Sequence, residues 1–206
     1  MRAPEMKRFL ASLRPETSAL NTEEKIQLAT RLIASGYGEQ KSVALALLEK
    51  TPDHFTPERF DQLEQLVGGL HGWSKIDGVT NLFLPSILET HEREMIDLLG
   101  DWNTHEDRWL RRASVVIFTR KVAKSGLFKD IALRHCNNLI NDGEHLVQTG
   151  VGWCLRDLMR WHKEEILPYV IDLRRMGVSS KITLYALRDI KGEERKAVLQ
   201  HNAQSA

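Results

Sequence analysis

From Thr22 onward, apolar side chains recur three and four positions apart in segment after segment, with no stretch that alternates in twos. That period belongs to amphipathic helices and gives strands or hairpins no support. Thr22 starts one segment with Glu23 to Lys25 behind it, and Gly36 and Gly38 close it. Gln40 to Lys50 follows. Thr56-Pro57-Glu58 supplies a cap, a proline at the first helical position and an early acid for a helix running to Val67. The spacing then predicts helices over Ser74–Leu84, Glu89–Leu99, His105–Lys124, Phe128–Ile140, Glu144–His162, Glu164–Arg175, Ser179–Ile190 and Glu193–His201. Pro85 ends or kinks the first of these, and Gly100 closes the second.

Helical pairs recur about every 35–45 residues, the spacing of helical-hairpin repeats. The expected fold is all-α: a HEAT-like helical-repeat solenoid with a concave basic face, one domain over residues 1–206 with about 202–206 as a disordered tail. A globular helix bundle is the competing arrangement.

Charge is the next constraint. The chain carries 29 Lys and Arg against 28 Asp and Glu, which excludes a polycation that coats nucleic acid indiscriminately. The balance is uneven. Residues 1–107 have net charge −7, residues 108–134 have +7 (Arg108, Arg111, Arg112, Arg120, Lys121, Lys124, Lys129 and Arg134 against Asp130), and residues 135–206 have +1. A segment of that kind is either a solvated helix face or a phosphate-binding surface. Two cysteines, Cys136 and Cys154, provide neither a disulfide framework nor a Cys-only metal site. Charges within Met1 to Leu20 leave no signal-peptide core, and no apolar run reaches the length of a membrane helix. A cytoplasmic, membrane-free protein is expected.

Few residues suggest chemistry. Trp73 and Asp77 stand at i and i+4, so a helix places them one turn apart on one face. Trp153 follows Gly150 and Gly152, small neighbours that let something approach the ring. Each has a structural explanation: tryptophans fill cores, Asp77 suits a helix surface, Arg112 can bridge to an acid such as Asp77 or Asp157, and Arg156-Asp157 with Glu164 suits ion pairing. The histidines lack metal-ligand spacing, and there is neither a phosphate loop nor a GxSxG elbow.

Taken in order, Trp73-x-x-x-Asp77, Asp107-Arg108-Trp109-Leu110-Arg111-Arg112-Ala113, Gly150-Val151-Gly152-Trp153-Cys154-Leu155-Arg156-Asp157 and the Leu173–Leu187 stretch resemble the AlkD-type HEAT-repeat DNA glycosylases of bacterial alkylation repair. The resemblance spans roughly residues 1–190, with the chain starting about where the family's second helical pair starts. It implies base excision repair: hydrolysis of the N-glycosidic bond of cationic alkylated purines, N3-methyladenine and N7-methylguanine, in duplex DNA without base flipping. It implies no metal, no cofactor and a monomer. By position Asp77 matches the catalytic acid, Trp73 and Trp153 the indoles packed on the lesion's deoxyribose, Arg112 a phosphate-holding residue, and Lys181 a weaker phosphate contact. Two other readings share these residues: a non-catalytic DNA-binding HEAT protein that recognises unusual DNA structures, and a protein-interaction solenoid.

Overall fold

The computed structural model describes residues 3–200. All regular structure among them is helical, and no strand is present. The chain divides into two compact units, one ending at Leu98 and the other beginning at Leu99.

The first unit holds α1 (Ala3–Ser12), α2 (Arg14–Ala19), α3 (Thr22–Ala34), α4 (Gly38–Leu48), two single 3-10 turns at Pro52–His54 and Pro57–Arg59, α5 (Phe60–Gly69), α6 (Trp73–Leu82) and α7 (Leu84–Thr90). The helix α8 (Glu92–Thr104) contains the boundary. The second unit holds α9 (Arg108–Val116), α10 (Arg120–Ser125), α11 (Lys129–Leu139), α12 (His145–Trp161), α13 (Lys163–Arg175), α14 (Ser180–Ala186) with a 3-10 turn at Leu187–Asp189, and α15 (Gly192–Gln200). The expected 202–206 tail and His201 lie outside the described residues.

In the first unit α3 and α4 form a helical hairpin, and α4 then packs on α6. The start of α3 is a capping box: Asn21 Oδ1 accepts from the Glu24 amide at 3.0 Å, and Glu24 Oε2 accepts from the Asn21 amide at 2.8 Å. The cap is thus Asn21, one residue before the Thr22 start read from the sequence. As expected, the helix ends ahead of Pro85: α6 stops at Leu82 and the chain breaks at Phe83. Pro85 itself lies in the first turn of α7, where its missing N–H has no partner to lose.

In the second unit α12 is the hub and packs on α9, α10, α11, α13 and α14. Its buried run from Gly150 to Leu155 explains why apolar and small residues crowd together there. The expected long helix over His105–Lys124 is broken into α9 and α10 at Ile117–Thr119. Beyond the break, Arg120 takes a left-handed φ of +50°, unusual for a residue with a Cβ.

Gly100, by contrast, does not close a helix, because α8 runs through it to Thr104. A Cβ at Gly100 would meet nothing within 4 Å. Glycine at such a site costs about 0.5–1 kcal/mol relative to alanine. Gly100→Ala is therefore expected to stabilise the protein by that amount in a denaturant titration, and a loss of stability would contradict this account of α8.

A buried polar network ties α8, α9 and α11. Asn103 Nδ2 donates to Ser114 Oγ at 2.9 Å and to the His135 carbonyl at 3.3 Å, and Asn138 Nδ2 donates to Asn103 Oδ1 at 2.8 Å. His135 Nδ1 lies 3.0 Å from the Ser114 carbonyl, so that nitrogen carries the proton. Burial lowers the His135 pKa from its ordinary value. A depressed folded-state pKa means that the unfolded chain binds the proton more readily. The contribution of His135 is therefore complete above about pH 6.5 and is lost as pH falls below it. Thermal unfolding of wild type and His135→Gln from pH 8 to pH 5 should show wild type losing more stability than the variant. Parallel curves would contradict this.

Candidate functional site

In the first unit, α6 carries the Trp73/Asp77 pair. The turn before it uses two left-handed residues, His71 at φ +43° and Gly72 at φ +96°, so the chain reverses sharply into Trp73. Ile76, Val79 and Thr80 bury the inner face of α6. Asp77 lies beside that strip and is half-buried, whereas Trp73, one turn earlier, is 59% exposed. Asn81 Nδ2 donates to the Asp77 carbonyl at 2.7 Å, which secures the backbone of this turn. The sequence spacing thus yields an exposed indole and a half-buried carboxylate on successive turns. Lys75 points to Ser42, with its Nζ donating to Ser42 Oγ, and burial lowers its pKa.

The second unit carries Arg112, Trp153 and Lys181. Arg112 in α9 is 4% exposed, and its Nη1 donates to the Leu146 carbonyl and to Thr149 Oγ1 at 3.3 Å, both in the first turns of α12. Gly150 makes that approach possible: a Cβ there would lie 3.3 Å from Arg112 Nη1. Trp153 is interior to α12, within the helix expected over Glu144–His162, and it is 8% exposed. Lys181 is exposed on the first turn of α14, where Ser179 Oγ accepts from its amide at 3.3 Å.

Sequence reasoning treated Asp157 only as an ion-pairing residue. It is 2% exposed and gathers five donors. Its Oδ2 accepts from Trp153 Nε1 at 3.0 Å and from the Arg120 amide at 2.9 Å. Its Oδ1 accepts from Arg156 Nη2 at 3.0 Å, Arg156 Nε at 3.2 Å and Arg160 Nη1 at 3.4 Å. One carboxylate therefore fixes the indole of Trp153, the strained start of α10 and two guanidinium groups. The Arg120 guanidinium lies over the Trp153 ring at 5.4 Å. The available signal was the Trp-x-x-x-Asp spacing at 153–157, which repeats that of 73–77.

The basic segment is less free than its sequence count. Arg111 Nε donates to Asp142 at 2.6 Å, Arg108 pairs with Glu144 at 3.1 Å, and Lys129 pairs with Glu165. Those acids lie 31–36 residues further on, outside the +7 window. Glu164, expected beside Arg156 and Asp157, is not among the partners of Arg156; Asp189 is, at 3.9 Å. The Arg160 hydrogen bond to Asp189, at 2.6 Å, holds that carboxyl below its ordinary pKa. Arg120, Lys124 and Arg134 have no ion pair among the described residues, and Lys124 lies 5.0 Å from the Trp161 ring instead.

Among the described residues no group of three His, Cys, Asp or Glu side chains is placed to hold a metal ion. No helix among them is long and apolar enough to cross a membrane.

Among the described residues all regular structure is helical, two helices carry an indole one turn from a carboxylate, and arginines lie against aromatic rings. Residues 1–190 match the family model for DNA alkylation repair enzymes, and the chain belongs to that family, whose fold is HEAT-like. No curated protein matches it.

Proposed function

We propose that this protein is a monofunctional DNA glycosylase that hydrolyses the N-glycosidic bond of cationic alkylated purines, N3-methyladenine and N7-methylguanine, in duplex DNA without extruding the base. The observation that carries the reading is the pair on α6: a half-buried carboxylate, Asp77, one turn from an exposed indole, Trp73, in a member of the DNA alkylation repair enzyme family.

The chemistry asks little of the protein. Alkylation at N7 or N3 places positive charge on the purine, so the base leaves as a neutral molecule when the C1′–N9 pair moves onto it. The sugar becomes an oxocarbenium ion. Asp77 stabilises that charge and accepts the proton of the water that adds to C1′. The electron-rich face of Trp73 attracts the cationic sugar. No base pocket is required, unlike the extruding glycosylases.

In the second unit, Trp153 is assigned to the deoxyribose and Lys181 to backbone phosphate. Arg112 is assigned to backbone phosphate near the lesion by its place in the family's pattern alone, since it is buried and its Nη1 is engaged by the Leu146 carbonyl. These contacts position DNA without reading its sequence.

The test is incubation of wild type with dimethyl-sulfate-treated duplex DNA and chromatography of the released bases. Release of 3-methyladenine and 7-methylguanine is expected. Duplex binding with no release would instead indicate a non-catalytic DNA-binding member, and absence of binding a protein-interaction role.

A further inference from the structure

We propose that Tyr185 and Arg188 form an additional backbone-phosphate contact on the second unit, extending the surface that Lys181 begins. This rests on the DNA-binding reading above. Lys181, Tyr185 and Arg188 are spaced by four and three residues, so they fall on one side of α14 and the 3-10 turn after it.

Tyr185 is placed by close packing of α14 on α12. A Cβ at Gly152 would lie 2.7 Å from Tyr185 Cβ and 2.8 Å from the Ile182 carbonyl, so only glycine permits this approach. Gly152 directly precedes Trp153, which puts the Tyr185 ring beside the turn that carries the indole. The guanidinium of Arg188 lies 3.8 Å from the Tyr185 ring centroid, and that of Arg156 lies 5.5 Å from it.

The state of Arg188 separates it from its neighbours. Arg160 is held by Asp189 at 2.6 Å, Lys163 by Glu194 at 2.6 Å, and Arg175 by Asp172 at 2.9 Å. Arg188 is exposed and has no ion pair among the described residues. Its neighbour Asp189 is occupied by Arg160 and Arg156. A guanidinium held by its face keeps its charge and leaves the in-plane N–H edge free. That edge matches two oxygens of a phosphodiester. An arginine already locked to a carboxylate offers neither.

The experiment is fluorescence anisotropy of the full chain with an undamaged labelled duplex at 50, 100 and 200 mM salt. Arg188→Ala should bind about 3- to 10-fold more weakly at the lowest salt, and its log–log salt slope should fall by about one. A purely structural arginine would not move the slope. Tyr185→Leu should weaken binding with the slope retained, because the charge remains but is no longer oriented. Wild-type affinity and slope in Arg188→Ala, with wild type binding normally, would overturn the contact alone. Failure of wild type to bind the duplex would overturn the DNA-binding reading, and the contact with it.

Discussion

Asp77→Asn is expected to lower the single-turnover rate of base release by about 10²- to 10⁴-fold while duplex affinity stays within about twofold of wild type. The substitution keeps the shape of the side chain and removes its charge and basicity. Both functions assigned to Asp77 depend on those properties: stabilising the oxocarbenium sugar and taking the proton of the attacking water. Ile76, Val79 and Thr80 anchor α6, and the amide keeps the shape of the carboxylate, so the variant is expected to fold. A variant that binds and releases base at the wild-type rate would remove Asp77 from the chemistry. A variant that loses affinity in proportion to rate would make it a binding residue.

Asp157→Ala is expected to cost about 3–5 kcal/mol of stability, the typical penalty for breaking a buried charge cluster by removing one partner. Asp157 is 2% exposed, and its loss strands the Trp153 indole N–H and the Arg120 amide. It also leaves the Arg156 and Arg160 guanidinium groups with Asp189 as their one remaining counter-charge among the described residues. Arg120 adds to the cost, because its left-handed φ is held in place by that amide bond. Asp157→Asn retains an acceptor oxygen and should fall between wild type and alanine. Chemical denaturation measures all three, and an alanine variant within about 1 kcal/mol of wild type would show that the cluster contributes little.

Trp73 and Asp77 were legible because their relation is local: four residues apart on one helix, a geometry that the helical period dictates. From α3 onward most helices were legible for the same reason, and α12 and α13 fall within a residue or two of their expected limits, whereas α1 and α2 were not expected. Gly100 misled because glycine usually ends helices, while the helix α8 passes through an unpacked glycine. The break between α9 and α10 was hidden because apolar spacing continues across Ile117–Thr119, and the amide just beyond it is bound by the Asp157 carboxylate on α12, a partner distant in sequence. Charge misled in a similar way. Arg108, Arg111 and Lys129 were counted with their neighbours in sequence, whereas their partners Glu144, Asp142 and Glu165 are neighbours only in space. Arg188 was passed over because nothing in its local sequence shows that a tyrosine ring, rather than a carboxylate, holds it.

The most direct measurement is single-turnover release of 7-methylguanine from a duplex carrying one such lesion, with enzyme in excess. The account predicts first-order release well above spontaneous depurination, leaving an intact abasic strand that alkali then cleaves. Release no faster than the protein-free control, at concentrations where the duplex is fully bound, would contradict it.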